Sequence, residues 1–238
     1  MRERGDKKGV IKTLIENIGG SFSRSLGIDL SDADSQEIFK WFFASLLFGA
    51  RISEPIVVNT YREFESKDVL SPEEILQTGW DGLVEILDAG GYVRYDFKTA
   101  TKLLEIMETL KDEYNGDLNA LHRQSESSGD LERRLQKLGK GIGPVTVNIF
   151  LRELRGIWRK ADPLPQELAV LAGSNLGLVK TKKSREVLGE LKRLWQRGGV
   201  KGWSFPDFES ALVRLGKDWC RKKRCGVCFV RTSCQKVS

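Results

Sequence analysis

Hydrophobic positions recur with a helical period along most of the chain. The segment from Ser35 to Phe48 is apolar on most faces, which predicts a helix buried at the centre of a bundle. No segment alternates apolar and polar positions as a half-buried strand would. A second repeat ends before Asn115-Gly116 and comprises Phe97, Ala100, Leu103, Leu104, Met107, Leu110 and Tyr114. These patterns predict an all-α chain.

Capping residues mark where two of these helices begin. Ser71-Pro72-Glu73-Glu74 has the form of a capping box with proline in the first turn, and it predicts a helix that Gly79 and Gly82 could interrupt. Near the C-terminus, Ser204 or Asp207 is expected to cap a helix that carries Phe208, Leu212 and Leu215.

Two glycines lie between two further predicted helices. The first helix runs from Asp130, as its N-cap, to Leu138, and the second begins near Pro144. Gly141 and Gly143 allow a sharp turn and leave bare N–H groups at the start of the second helix. Because the N–H groups at a helix N-terminus bind phosphate well, we expect this hairpin to bind a nucleic-acid backbone without reading base sequence.

Composition and charge favour a globular protein with a polyanionic partner. The 238 residues, 40% of them hydrophobic, suffice for one sizeable core or two small ones. The formal net charge is +6, and the surplus is concentrated in three runs: Lys180 to Arg185, Lys192 to Arg197 and Arg221 to Arg224. Basic runs beside a hairpin of this kind predict binding to DNA.

Nothing in the sequence predicts a membrane span. The longest apolar stretch, Ile38 to Ala50, is interrupted by Lys40 and is too short to cross a bilayer. The first nine residues, MRERGDKKG, are charged and precede no apolar segment of the signal-peptide kind. We therefore expect a soluble intracellular protein, cytoplasmic or nuclear, with no membrane partner.

All the cysteines lie in one short basic loop near the C-terminus. Four thiols this close, with no cysteine elsewhere, indicate a metal or iron–sulfur site and not a disulfide framework. Three short gaps suit a cubane cluster better than zinc, which usually pairs two separated C-x-x-C knuckles, although a zinc-dependent nucleic-acid module stays an alternative. The spacing is C-x4-C-x2-C-x5-C, formed by Cys220, Cys225, Cys228 and Cys234.

The hairpin, Asp162 and the cysteine loop occur in an order that resembles the endonuclease III branch of the helix-hairpin-helix DNA glycosylases. The resemblance covers roughly residues 35 to 235. It implies a six-helix barrel at residues 34–154 and a [4Fe-4S] cluster domain formed by residues 1–33 together with 155–238, with the active cleft between them. It also implies a monomer of base excision repair that acts on double-stranded DNA with a damaged or mismatched base.

The resemblance assigns the catalytic role to Asp162, whose carboxylate would stabilise an oxocarbenium-like sugar and orient or deprotonate a water. Taken alone, Asp162 before Pro163 is typical of an N-cap at a helix start. Val145 stands where bifunctional relatives carry a nucleophilic lysine, so monofunctional hydrolysis is expected. A lyase that uses Lys140 or Lys160, and a DNA-binding protein without catalysis, are the alternatives.

The resemblance further implies residues for DNA contact and for the base pocket. The DNA contacts would come from Arg51 and from the hairpin, namely Lys140, Gly141, Ile142, Gly143 and Thr146. Tyr92 and Tyr95 would line the base pocket together with Val145, unless the tyrosines pack between helices. His122, the only histidine, falls in a polar joint and is expected to be exposed.

Overall fold

The computed structural model describes residues 6–236, and its regular elements in that range are helices. Within that range the structure contains no strand, only an isolated bridge between Arg155 and Trp158. The prediction of an all-α chain is therefore confirmed. Residues 1–5 and 237–238, which the sequence analysis placed in the charged N-terminus and in the cluster domain, lie outside the described residues.

The chain divides into two compact units. One, here called the central unit, comprises residues Leu26–Asp162. The other, here called the terminal unit, combines the N-terminal residues up to Ser25 with Pro163 and the residues that follow it.

Seven helices form the central unit, and each packs against the next one along the chain. The last of them, α9, packs in turn against the first, α3, so that sequence neighbours close a ring. The helices are α3 (Ser35–Phe48), α4 (Glu54–Ser66), α5 (Pro72–Ala89), α6 (Asp96–Tyr114), α7 (Leu118–Gln124), α8 (Ser128–Lys137) and α9 (Pro144–Glu153).

Helix α3 supplies much of the core of the central unit, as its pattern predicts. Trp41 is fully buried, and its indole N–H donates to the carbonyl of Phe150 on α9 at 3.0 Å. Phe42 contacts the Phe150 ring edge-on, with ring centroids 5.3 Å apart. Burial of such aromatic side chains contributes roughly 1.5–3 kcal/mol each, so α3 adds substantially to the stability of the central unit.

The helix starts agree in part with the sequence patterns. The Ser71 side chain accepts from the N–H of Glu74, as expected, and Gly79 breaks the regular backbone of α5 with φ +67°. The expected cap of α8 is wrong, because Ser127 is the N-cap and accepts from the N–H of Asp130. Asp130 accepts from the N–H of Glu126 and is thus the fourth residue of a capping pattern.

The described residues of the terminal unit form five α-helices and the cysteine loop. They are α1 (Lys7–Ile18), α2 (Phe22–Ser25), α10 (Glu167–Asn175), α11 (Ser184–Gly198) and α12 (Phe205–Leu215). Leu14, Leu191 and Phe208, from α1, α11 and α12, are fully buried in one cluster. A capping box starts α12, with Ser204 as N-cap and Asp207 as its partner, so both residues that the sequence offered take part.

None of the helices within residues 6–236 is both long enough and apolar enough to cross a lipid bilayer.

Candidate nucleic-acid interface and cysteine site

The two glycines form a turn between α8 and α9, as the sequence predicts. Gly141 has φ +94°, a conformation that side chains with a Cβ atom rarely adopt. An added Cβ there would also lie 2.6 Å from the amine of Lys102 on α6. Gly143 is the N-cap of α9 in an extended conformation, and no atom lies within 4 Å of the place where its Cβ would be. The backbone conformation at position 141 thus requires glycine, whereas position 143 has room for a larger side chain.

Backbone donors are available at the start of α9. The capping bond of this helix runs from the N–H of Val147 to the carbonyl of Gly143 at 3.1 Å. The N–H groups of Val145 and Thr146 precede that bond and have no acceptor within the helix. Together with the positive end of the helix dipole, they suit an anion.

Side chains around the hairpin differ in how far they reach solvent. Lys140 is exposed and lines a groove of about 520 Å³ that also contains Lys137, Glu105 and Glu108. The two glutamates offset the two lysines, so this groove has little net charge. Ile142 is only 5% exposed and anchors the turn in the core.

Thr146 and Arg51 belong to neighbouring parts of the central unit. The Thr146 side chain is buried and fills the space beside Gly49, where a Cβ would overlap its hydroxyl. Thr146 can therefore reach a phosphate only through its backbone N–H. Arg51 is exposed two residues after Gly49, in the loop between α3 and α4. Because that loop packs on the first turn of α9, Arg51 lies in a segment adjoining the hairpin.

The two tyrosines assigned to a base pocket have different surroundings. Tyr92 is 1% exposed, and its hydroxyl donates to the carbonyl of Leu47 at 3.0 Å. Burial raises its pKa far above the usual range. Tyr92 thus packs between helices, which was the alternative to pocket lining. Tyr95 is partly exposed, with the Arg94 guanidinium 5.4 Å from its ring centroid.

Val145 is the second residue of α9, and it lies on the surface of the protein. Val145 is 58% exposed, which is unusual for a valine in a packed unit. No atom of this side chain can form a covalent adduct with a sugar.

Asp162 is not an N-cap, contrary to the sequence expectation. Helix α10 begins only at Glu167, with Gln166 as its N-cap, and residues 161–166 are irregular. The carboxylate of Asp162 instead accepts from the guanidinium of Arg155 in a short ion pair. The Asp162 side chain is 43% exposed and that of Arg155 is 5% exposed, so a buried cation holds a solvent-facing carboxylate.

Side chains of the segment between Arg155 and Asp162 stack on α7 and form hydrogen bonds to it. The Trp158 ring stacks on the His122 ring at 4.7 Å, and its N–H donates to the amide oxygen of Asn119 at 2.8 Å. The Lys160 amine donates to the carbonyls of His122 and Arg123, at 2.9 and 3.3 Å. This set of contacts, here called the α7 clamp, keeps the segment before Asp162 in one conformation.

His122 is consequently not the exposed loop residue expected from the sequence. It lies within α7 and is partly buried, and burial lowers its pKa, with Lys160 and Arg123 acting in the same direction. Neither this histidine nor Arg155 could be recognised as part of the site from sequence, since no local pattern links them to Asp162.

The four cysteine thiols surround one cavity. A π-helical turn, Gly216–Cys220, follows α12 and delivers Cys220, and two short 3₁₀ turns position Cys225, Cys228 and Cys234. All four line a cavity of about 380 Å³, with Trp219 and Asn175 also on its wall. Burial raises the pKa of the Cys220 and Cys228 thiols.

A single metal ion sets a close spacing for the thiols that bind it. Four thiolates bound to one zinc ion lie ~3.8 Å from one another, given Zn–S bonds of about 2.3 Å. Among residues 6–236, no three His, Cys, Asp or Glu side chains are close enough together to hold a metal ion. A donor set of four thiols is known both for zinc and for iron–sulfur clusters.

A pair of glycine variants is expected to separate turn geometry from phosphate approach. Gly143→Val has room for its side chain, so we expect unchanged thermal stability and roughly tenfold weaker DNA binding at matched salt, because hydrogen bonds to charged groups contribute about 1.5–3 kcal/mol. Gly141→Val is expected to lower stability as well, because its φ is +94°. Gly129→Val, also with open space, is the control. Equal affinity of Gly143→Val and the control would remove the hairpin from the interface.

The comparisons with known proteins do not assign the chain to a family. No protein-family model matches it, and no curated protein matches it.

Proposed function

We propose that this protein is a monofunctional DNA glycosylase that hydrolyses the N-glycosidic bond of a flipped damaged or mismatched base. One observation carries the proposal: the central unit contains both a glycine hairpin with free backbone donors and an exposed carboxylate held by a buried arginine. A phosphate-binding turn and a fixed carboxylate are the two parts that such a reaction needs. The substrate would be double-stranded DNA inside the cell.

The chemistry centres on the Asp162 carboxylate. As the bond between C1′ and the base nitrogen lengthens, positive charge develops on the sugar, and the fixed negative charge of Asp162 stabilises it. A water oxygen forms the new bond to C1′, its proton passes to Asp162 or to solvent, and the base leaves with the electrons of the broken bond. An abasic site remains in an intact strand.

Arg155 and the α7 clamp position this carboxylate. The buried guanidinium binds a carboxylate oxygen of Asp162, and the Asp162 side chain is 43% exposed. The contacts of Trp158 and Lys160 with α7 limit the movement of the turn. Pre-organisation of this kind reduces the reorganisation needed in the transition state.

The DNA contacts would come from the hairpin and from the adjoining loop. The N–H groups of Val145 and Thr146 would bind one phosphate, and Arg51 and Lys140 would contact the backbone or the gap left by the flipped base. Tyr95 and Val145 are the remaining candidates for contact with the base. The central unit has a closed ring of seven helices, one more than the six-helix barrel that the resemblance implies.

In this proposal the cysteine loop would hold a [4Fe-4S] cluster through Cys220, Cys225, Cys228 and Cys234. The sulfur-only donor set and the 380 Å³ cavity fit such a group. When bound, the cluster would link the loop to α10 and α12 and supply structural stability. Lys223 and Arg231 on the cavity wall would hold a basic surface toward DNA.

A second candidate function is DNA binding without catalysis. The ion pair between Asp162 and Arg155 favours it, since pairing a buried guanidinium is by itself a sufficient structural role for the carboxylate. A panel of duplexes, each with one damaged or mismatched base, tests the choice. Release of a free base from at least one duplex supports the glycosylase, and binding with no release from any of them supports the second candidate.

The identity of Val145 leads to a prediction on reaction type. We expect intact strands after base release, cleaved only by heat or alkali, and no protein–DNA adduct after treatment with borohydride. A Schiff base requires an unprotonated amine near C1′, and the exposed valine supplies none. Efficient trapping by the unchanged protein would contradict the monofunctional assignment and direct attention to Lys140, because the Lys160 amine is bound to two carbonyls.

The converse variant, Val145→Lys, is expected to gain trapping with borohydride. The position is exposed, so a lysine can be accommodated without loss of packing. Gly129→Lys, which adds a lysine at the exposed second residue of α8 in the same unit, is the matched control and should not be trapped.

A further inference from the structure

A second large cavity lies within the terminal unit, apart from the cysteine loop. Its volume is about 920 Å³, within the range of small-molecule sites. The wall comprises the first turn of α1, the segment from Gly177 to Lys180, one face of α11 and Gln235. Four stretches of chain that are far apart in sequence therefore meet at this cavity.

The rim of the cavity is strongly basic. Lys7, Lys180, Arg193 and Arg197 all line it, and they come from three separate segments. Arg193 and Arg197 are exposed and one helical turn apart on α11. The Lys7 amine donates to the carbonyl of Leu178 at 3.4 Å, which directs it to the cavity wall.

One carboxylate, Glu190, also lines the cavity. Its Oε2 accepts from the backbone N–H of Lys180 at 2.7 Å and thereby fixes the loop before α11. Four cations and one carboxylate leave a formal excess of three positive charges around one concavity. A concave surface with charge of one sign raises the local concentration of the opposite ion.

The floor of the cavity is apolar. Leu178, Val179 and Leu194 contribute to it, and Leu178 is fully buried. Basic side chains around an apolar floor suit an anion that has an organic part, such as a nucleotide, better than a bare inorganic ion.

Two segments of the cavity wall are in close contact through a glycine. Gly177 has φ +63°, and a Cβ there would overlap the amide of Gln235. The N–H of Gln235 donates to the carbonyl of Asn175 at 2.8 Å, so the residues after the cysteine loop are held against the end of α10. These contacts hold Gly177 and Gln235 close together at the wall of the cavity.

We propose that this cavity binds a phosphate-bearing organic ligand, with phosphates at Arg193, Arg197, Lys7 and Lys180 and the organic part on the apolar floor. The ligand is either a free nucleoside polyphosphate or the sugar-phosphate backbone of a nucleic acid. This site lies in the terminal unit, shares no residue with the hairpin and goes beyond the glycosylase reaction.

Calorimetric titration of the full chain with three probes tests the proposal: a nucleoside triphosphate, inorganic pyrophosphate and a short undamaged DNA duplex. The double variant Arg193→Ala/Arg197→Ala should bind at least one probe roughly tenfold more weakly, since each arginine–phosphate contact is charge-assisted. The control is Lys182→Ala/Arg185→Ala, which removes two exposed charges near α11 that do not line the cavity.

The probes also distinguish the two sources of phosphate. Weakened binding of the triphosphate identifies a free nucleotide, and weakened binding of the duplex alone identifies nucleic acid. Glu190→Gln, whose amide oxygen can still accept from the N–H of Lys180, should tighten the same probe by about threefold, the size expected for one exposed charge.

The proposal is overturned if no probe distinguishes the arginine variant from the control. Equal losses in both double variants would also overturn it, because diffuse surface charge would then explain the binding. Undamaged DNA and nucleotides need no base release, so these outcomes are independent of whether the glycosylase proposal holds.

Discussion

Asp162→Asn is expected to lower the rate of base release by about 10²–10⁴-fold, the range typical of a general acid or base, while DNA affinity stays close to that of the parent. Asparagine keeps the shape of the side chain, and its amide oxygen can still accept from Arg155, so the turn should retain its conformation. Only the negative charge opposite the developing sugar cation is lost. Single-turnover release of the base and equilibrium binding of the same duplex measure the two quantities.

Asp112→Asn is the matched control, because Asp112 is an exposed carboxylate on α6 of the same unit. It should leave both quantities unchanged. Full activity of Asp162→Asn would exclude its carboxylate from the chemistry. A parallel loss of DNA affinity and thermal stability would instead assign Asp162 to the structural role that its ion pair with Arg155 also permits.

Cys225→Ser is expected to yield a protein without visible absorbance and with a much lower melting temperature. Binding of a structural metal group is coupled to folding, and its loss costs on the order of 10 kcal/mol in small metal-dependent domains. The cysteine loop packs on the core of the terminal unit through Cys220, Cys228 and Cys234, so its disorder should expose that core. Absorbance, iron content and thermal unfolding measure the effect.

Val227→Ser is the matched control for the cysteine variant. Val227 lies between Cys225 and Cys228, is 78% exposed, and its replacement introduces the same serine without removing a thiol. It should keep both absorbance and stability. A parent protein that contains zinc and no iron would contradict the cluster proposal and support the zinc-dependent module.

The helix pattern was largely predictable, and the two errors at helix starts have local causes. Pro165 disfavours helical backbone at Leu164, so a helix cannot begin at Asp162 and starts instead at Glu167. At α8, Ser127 and Asp130 are three residues apart and both are good caps. Ser127 is the N-cap because in this arrangement both side chains accept a backbone N–H that would otherwise be unpaired: Ser127 from Asp130, and Asp130 from Glu126.

The composition of the site was only partly predictable. The glycine hairpin depends on backbone conformation that few residues allow, so its position was visible in the sequence. The buried partner of Asp162 was not, because Arg155 is seven residues away in an irregular turn. Tyr92 was equally ambiguous, since an aromatic residue after a helix is compatible with a pocket or with a core.

The sequence alone determined that the chain is helical, where α9 and α12 begin, and that four thiols share one loop, because these features depend on interactions within a few residues. Those features follow from backbone preferences and short-range hydrogen bonds, which act between neighbours in sequence. The tertiary structure decided what the side chains face. Tertiary packing alone stacks His122 on Trp158, pairs Arg155 with Asp162, and brings Lys7, Arg193 and Arg197 to one cavity. No periodic pattern along the chain links these residues.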